Sequence, residues 1–159
     1  MAPVINTHSL APYVLSIARI VIGLLFFEHG LAKMVGFPQG PALPFDLSLH
    51  WFSGALEFAG GLLLTLGLLS RFVAFIASGE MAFAYFLSHA PHSLYPLINR
   101  GEGAILYCFI FLYFAFAGPG PLSLDALIQR RRTQSAAPAI SLGERTAQAA
   151  SRKRTKVSN

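Results

Sequence analysis

Charge is scarce in this chain. Of its 159 residues only 12% are Asp, Glu, Lys or Arg, about half the roughly 25% of an ordinary soluble domain, while 54% are hydrophobic and 13% aromatic. That balance excludes a soluble globule, and the length fits one domain rather than several. Cysteine is scarcer still. Cys108 is the single one, inside the apolar run 105–117, so an intramolecular disulfide, a thiolate metal cluster and a dithiol relay within the chain are excluded. No Lys or Arg precedes Arg19, and no ten-residue alternating stretches point to a membrane barrel. Backbone groups in lipid must satisfy one another, which leaves helices.

Four apolar runs are present, at residues 12–35, 51–69, 71–90 and 99–117. Each approaches the ~20 residues that cross a ~30 Å hydrocarbon layer. The first is too long for the apolar part of a cleaved signal peptide and reads as a retained span after a short segment, 1–11. A proline-rich stretch, Gly36 to Pro44, separates it from the second, which begins at Trp51, an aromatic suited to the headgroup level. Only a tight turn fits around Ser70, which is placed to cap the third run. Asn99-Arg100-Gly101-Glu102 is spaced like a capping box, and Gly118-Pro119-Gly120-Pro121 stops the fourth run. Ser123 can then cap a short interfacial helix with Leu124, Leu127 and Ile128 on one side. The expected fold is all-α: an integral-membrane four-helix bundle over residues 12–128, followed by a basic, disordered tail at 129–159.

Residues 1–125 carry four basic and six acidic side chains, residues 126–159 eight basic and one acidic. Lys and Arg near span ends stay on the cytoplasmic side, so the tail places the C-terminus in the cytoplasm, and four spans return the N-terminus there too. Arg19 and Arg71 then fall on the inner side, while Lys33 and Arg100 fall outside. The tail's charge serves topology and attraction to anionic lipid rather than nucleic acid.

Function must come from the charges that lipid should have excluded. Each span holds one glutamate, Glu28, Glu57, Glu80 or Glu102, and Arg19, His29, Lys33 and His89 accompany them. Charged groups at membrane depth are costly, face the bundle interior and mark sites. From Arg19, at about 100° per residue, Gly23, Phe26, Gly30 and Lys33 fall on one stripe, flanked by His29, with Glu28 nearly opposite. On the second run Gly54, Glu57, Gly61 and Leu64 share a face whose small residues permit close helix approach. On the third, Ala77, Glu80, Ala84 and Leu87 share another, with His89 projecting elsewhere. At ~1.5 Å rise per residue, His29, Lys33, Glu57 and Glu102, with His89 as a further member, lie in the outer half, and Arg19 could meet Glu80 deeper down. Plainer readings stand beside these. The outer charges could be internal ion pairs that fix helix register, Arg19 a snorkelling anchor, Glu102 the capping-box carboxylate and His89 an interfacial side chain.

Arg19 with Gly23, the His29-Gly30 pair with Lys33, Glu57 with Gly60-Gly61, Leu64, Gly67 and Arg71, His89, Gly101-Glu102 and the closing Gly118-Pro119-Gly120-Pro121-Leu122-Ser123-Leu124-Asp125 together resemble the DoxX family of small bacterial membrane proteins. The resemblance covers about residues 18–127. It implies a four-helix bundle in the bacterial inner membrane and an oxidoreductase association. Some members resemble the membrane subunit of a thiosulfate:quinone oxidoreductase; others are linked to quinone or catechol stress and to oxidative-stress complexes with superoxide dismutase. Glu28 and the tail beyond Arg130 lie outside the family pattern.

The first functional expectation is therefore a component of a quinone-linked oxidoreductase system. His29 and Lys33 would contact ring oxygens and Glu57 or Glu102 would exchange protons, with Arg19, Glu80 and His89 as further substrate-binding candidates. No flavin, nicotinamide or iron–sulfur motif and no metal site is legible, so quinone is the one cofactor named, and a soluble or membrane redox partner would supply electrons. The second is a non-enzymatic scaffold that docks a soluble oxidoreductase, and the third a small transporter or channel, which would require self-association.

Overall fold

The computed structural model describes residues 7–38 and 40–136. The segment 137–159, most of the expected tail, lies outside the described residues. Among them six α-helices follow in order: α1 (Thr7–Val35), α2 (Leu49–Leu66), α3 (Ser70–Ala84), α4 (Pro96–Asn99), α5 (Glu102–Ala117) and α6 (Leu124–Ala136). A π-helical turn, Tyr85–His89, continues α3. No strand occurs among the described residues. Among the described residues, those up to Ile128 form one compact unit and those from Gln129 belong to a second.

Among the described residues three stretches are long and apolar enough to cross a membrane: Ser9–Val35, Leu49–Leu66 and Ser70–His89. The fourth, α5, has 16 residues, so it rises ~24 Å, several ångströms short of a typical hydrocarbon layer.

Local chemistry sets the ends of these helices. The Ser48 hydroxyl accepts the Trp51 N–H at 3.1 Å and caps α2. Just before it, the Ser48 N–H bonds the Asp46 carboxylate at 3.0 Å and holds that carboxyl below its ordinary pKa. Helix α2 stops at Gly67, whose φ of 70° suits a residue without Cβ; Gly67 and Leu68 donate back to Leu64 and Leu63. The cap of α3 differs from the expected Ser70. Leu69 occupies the cap position without a side-chain bond, and the Asp125 carboxylate takes the Leu69 and Ser70 N–H groups, each at 2.9 Å. Nor does the expected capping box form at 99–102: Asn99 Oδ1 accepts from Gly101 N at 2.7 Å, and Glu102 is exposed. Ser123 does cap α6, accepting from Ala126 N at 3.1 Å. That helix continues through Arg130, Arg131 and Arg132, two turns beyond its expected end near Ile128.

Helices α1 and α2 pack along each other, as do α3 and α5. The α1–α2 seam is close because of glycine. A Cβ on Gly30 would collide with the Phe58 backbone, and one on Gly61 with the Phe27 backbone. Phe26, Leu64, Ala74, Ala77, Met81, Phe111 and Phe114 form the core, with the Phe26 and Phe111 rings edge to face at 4.7 Å. Outward-facing Phe72, Phe75, Phe109 and Phe116 are exposed, as expected of lipid-facing positions. On α3 the core face runs through Val73, Ala74, Ala77, Ser78 and Met81, rotated from the expected Ala77–Glu80–Ala84–Leu87 face; Glu80 sits at its edge and Leu87 is exposed.

Candidate functional site

The buried stripe of α1 comprises Ser16, Arg19, Gly23, Phe26 and Gly30, and that of α2 Gly54, Glu57, Gly60, Gly61 and Leu64. Helical period thus turns two costly charges, Arg19 and Glu57, into the protein. They meet different fates.

Arg19 is fully buried at the end of the bundle formed by the α2 C-terminus and the Gly118–Ser123 turn. Its Nε donates to Pro119 O at 2.9 Å and Nη2 to Leu122 O at 2.6 Å; Nη1 donates to Thr65 O at 3.0 Å and to Leu64 O. Leu64 and Thr65 lie in the last turn of α2, where carbonyls lack the regular i+4 donor, although Leu64 O also accepts from Gly67 N, and where the helix dipole is negative. The expected Arg19–Glu80 pair is not formed. Arg19 is a staple between α1, α2 and the turn after α5, to which the Ser16 hydroxyl adds a bond from Leu122 N at 3.2 Å. At the same end Arg71 donates to Ala115 O at 3.0 Å and Phe116 O at 2.6 Å, closing the last turn of α5.

The opposite end holds a partly open cleft of about 730 Å³ between α1, α2, the α3–π-turn segment and the start of α5. That volume lies within the roughly 300–1,000 Å³ range of small-molecule sites. Phe26, Phe52, Met81, Phe83, Leu87 and Tyr107 give it apolar and aromatic walls. His29, Lys33, Glu57, Glu80 and His89, five of the seven candidates from the sequence, line it. Arg19 and Glu102 do not.

Four polar side chains are linked in its floor. Lys33 Nζ lies 2.8 Å from Glu57 Oε1, the one ion pair among the described residues, and donates to Ser53 Oγ at 3.1 Å. The Ser53 hydroxyl donates to Glu80 Oε1 at 2.7 Å, with Glu57 Oε1 at a longer 3.5 Å. Serine thereby joins a carboxylate of α2 to one of α3. The Glu57 side chain is 5% exposed and that of Lys33 24%. Glu57 Oε2 and Glu80 Oε2 are buried without a hydrogen-bond partner. Buried polar atoms normally find partners, and both of these belong to residues that line the cleft.

Two histidines flank this floor. His29 is exposed on α1, with its ring edge-on to Tyr107 at 6.1 Å. His89 closes the π-helical turn, its ring stacked on Tyr85 at 6.5 Å, with Nδ1 3.0 Å from Asn99 O. A carbonyl only accepts, so Nδ1 carries the hydrogen in the neutral ring and Nε2 is left as the free acceptor. Asn99 is itself fixed, donating to Ser93 O at 2.7 Å and accepting from Gly101 N. Ser53 and Tyr107 were not among the sequence candidates, and Asn99 entered only as the start of a capping box; Ser53 had one legible signal, its position four residues before Glu57 on the same face.

Comparison with known proteins bears on this arrangement. The DoxX family model matches residues 14–90, which contain Lys33, Ser53, Glu57, Glu80 and His89. An uncharacterized protein of Haemophilus influenzae is 42% identical over 127 residues, covering 76% of this chain and 94% of that protein. The inner membrane protein YqjF of Escherichia coli is 28% identical over 127 residues, covering 72% and 92%. A second uncharacterized Haemophilus influenzae protein is 30% identical over 128 residues, covering 73% and 83%. No solved structure matches.

Proposed function

The chain belongs to the DoxX family of membrane proteins, and from that premise we propose that it is an inner-membrane, quinone-binding component of an oxidoreductase system. Its inner-membrane place is supported by the similarity to YqjF. In this reading α5 is the fourth crossing and both termini are cytoplasmic, with Arg19 and Arg71 at the inner end and the cleft at the outer.

The observation that carries the proposal is the cleft: apolar walls around a floor on which Lys33, Ser53, Glu57 and Glu80 form one hydrogen-bonded network with two buried oxygens unmatched. These residues fit a flat ring with polar oxygens. The Lys33 ammonium has three N–H groups and spends two, on Glu57 and Ser53, leaving one for a ring oxygen. A bound quinone supplies two-electron, two-proton chemistry at its ring oxygens. Glu57 and Glu80, joined through Ser53, hold acceptors at which a proton is received or released, and His89 Nε2 and His29 at the cleft wall connect that floor to water. A redox partner protein delivers or takes the electrons. Phe26, Met81 and Tyr107 add apolar surface to the cleft beside the floor.

Gentle-detergent purification, followed by solvent extraction and identification of co-purifying proteins, tests this reading. It predicts quinone bound to the wild-type chain together with a redox protein. A co-purifying soluble oxidoreductase without bound quinone supports the second reading, a scaffold, and absence of both contradicts both readings.

A further inference from the structure

With both carboxylates ionised, every hydrogen of the Lys33 ammonium and the Ser53 hydroxyl but one is already engaged. Lys33 gives two to Glu57 Oε1 and Ser53 Oγ, and the single Ser53 hydroxyl hydrogen goes to Glu80 Oε1. What remains unmatched in the buried region is a pair of acceptors, Glu57 Oε2 and Glu80 Oε2, the first on a side chain more than nine-tenths buried. A ring carbonyl could accept the remaining Lys33 N–H but would leave both oxygens without a hydrogen. A ring hydroxyl both accepts that N–H and donates to a carboxylate. Hydrogen bonds to charged acceptors are among the stronger ones, and a buried acceptor left unmatched carries the full penalty of its lost hydration.

We propose that the cleft selects the reduced, dihydroxy-aromatic form of its ligand over the corresponding dione, because its unmatched buried atoms are hydrogen-bond acceptors on Glu57 and Glu80. The inference rests on the quinone-binding reading and adds to it which redox form the protein holds. The apolar walls are indifferent to that choice, since both forms have the same flat ring; the discrimination lies in the floor. One consequence is directional. A site that holds the hydroxyl form more tightly raises the reduction potential of the bound pair relative to the free pair, so it draws electrons toward the ring.

The test uses the full chain in lipid nanodiscs under anaerobic conditions, titrated with a short-chain ubiquinone and with the same molecule reduced to its quinol. The expected result is a quinol Kd at least about tenfold below that of the quinone. In Glu80→Gln the side-chain amide turns an unmatched acceptor into a donor, and the ratio should fall toward one. Equal affinities or tighter quinone binding in the wild type overturn the inference and leave the quinone-binding reading standing. Binding of neither form overturns both. Full retention of the preference in Glu80→Gln and in Glu57→Gln also overturns it, and should either variant fail to fold, the wild-type ratio decides.

Discussion

Ser53 and Glu80 are joined by a 2.7 Å hydrogen bond that crosses from α2 to α3, and through Lys33 and Glu57 that bond ties three helices together at the floor of the cleft. Its members are neighbours in space, yet along the chain Lys33 lies 20 residues before Ser53 and 47 before Glu80. The arrangement makes Lys33, Ser53, Glu57 and Glu80 one hydrogen-bonded unit.

Breaking the ion pair should therefore cost more than removing it. Lys33→Met leaves the Glu57 carboxylate buried without its cation and should destabilise the protein by up to about 3 kcal/mol. The double variant Lys33→Met/Glu57→Gln should recover most of that loss. Unfolding of the purified protein in mixed detergent gives the coupling energy, and additive single effects would show that the pair is energetically silent.

Arg19 should behave as structure and not as site. Arg19→Lys cannot reach carbonyls of both the α2 end and the Pro119–Leu122 turn, and a loss of about 3 kcal/mol or more is expected as those carbonyls go unmatched. Ligand affinity of the folded fraction at the far end should stay unchanged. A selective loss of binding with native stability would return Arg19 to the site.

Asp125 caps a helix that begins 55 residues earlier in the chain than itself. Asp125→Ala should cost about 1 kcal/mol and speed amide hydrogen exchange at the start of α3, with Asp125→Asn losing less. Unchanged exchange at Leu69 and Ser70 would contradict the cap.

Glycines should divide by what surrounds them. Gly30→Ala and Gly61→Ala force apart α1 and α2, where backbone meets the new methyl, and should lose about 1–3 kcal/mol. Gly79→Ala and Gly103→Ala meet nothing within 4 Å, and should be neutral or stabilising by up to about 1 kcal/mol, as ordinary helix propensity dictates. Comparing the melting temperatures of the four variants separates the two classes.

Much of this was legible before any coordinates, for a simple reason. The α-helical period alone turns Arg19, Gly23, Phe26 and Gly30 inward, and likewise Gly54, Glu57, Gly61 and Leu64. Periodicity gives the face of one helix but not the offset between two, so it could not decide whether Glu80 meets Arg19 or Ser53. Nor could it follow α3 to its end: the π-helical turn over Tyr85–His89 inserts extra residues into the period, displacing Leu87 and His89 from the faces that an uninterrupted α-helix assigns. Caps supplied from far along the chain are equally silent in sequence. Ser70 looked like the local cap of α3, yet Asp125 provides it, because the turn after α5 brings that carboxylate against two free N–H groups.

Photoaffinity labelling tests the central claim, that the outer cleft is the quinone site, most directly. With an azido-quinone and the wild-type chain in nanodiscs, peptide mapping should place the label on residues 49–57, 80–89 and 100–107, and excess unlabelled quinol should displace it. Label spread over outward-facing Phe72, Phe75 and Phe109, and undiminished by competitor, would contradict the account.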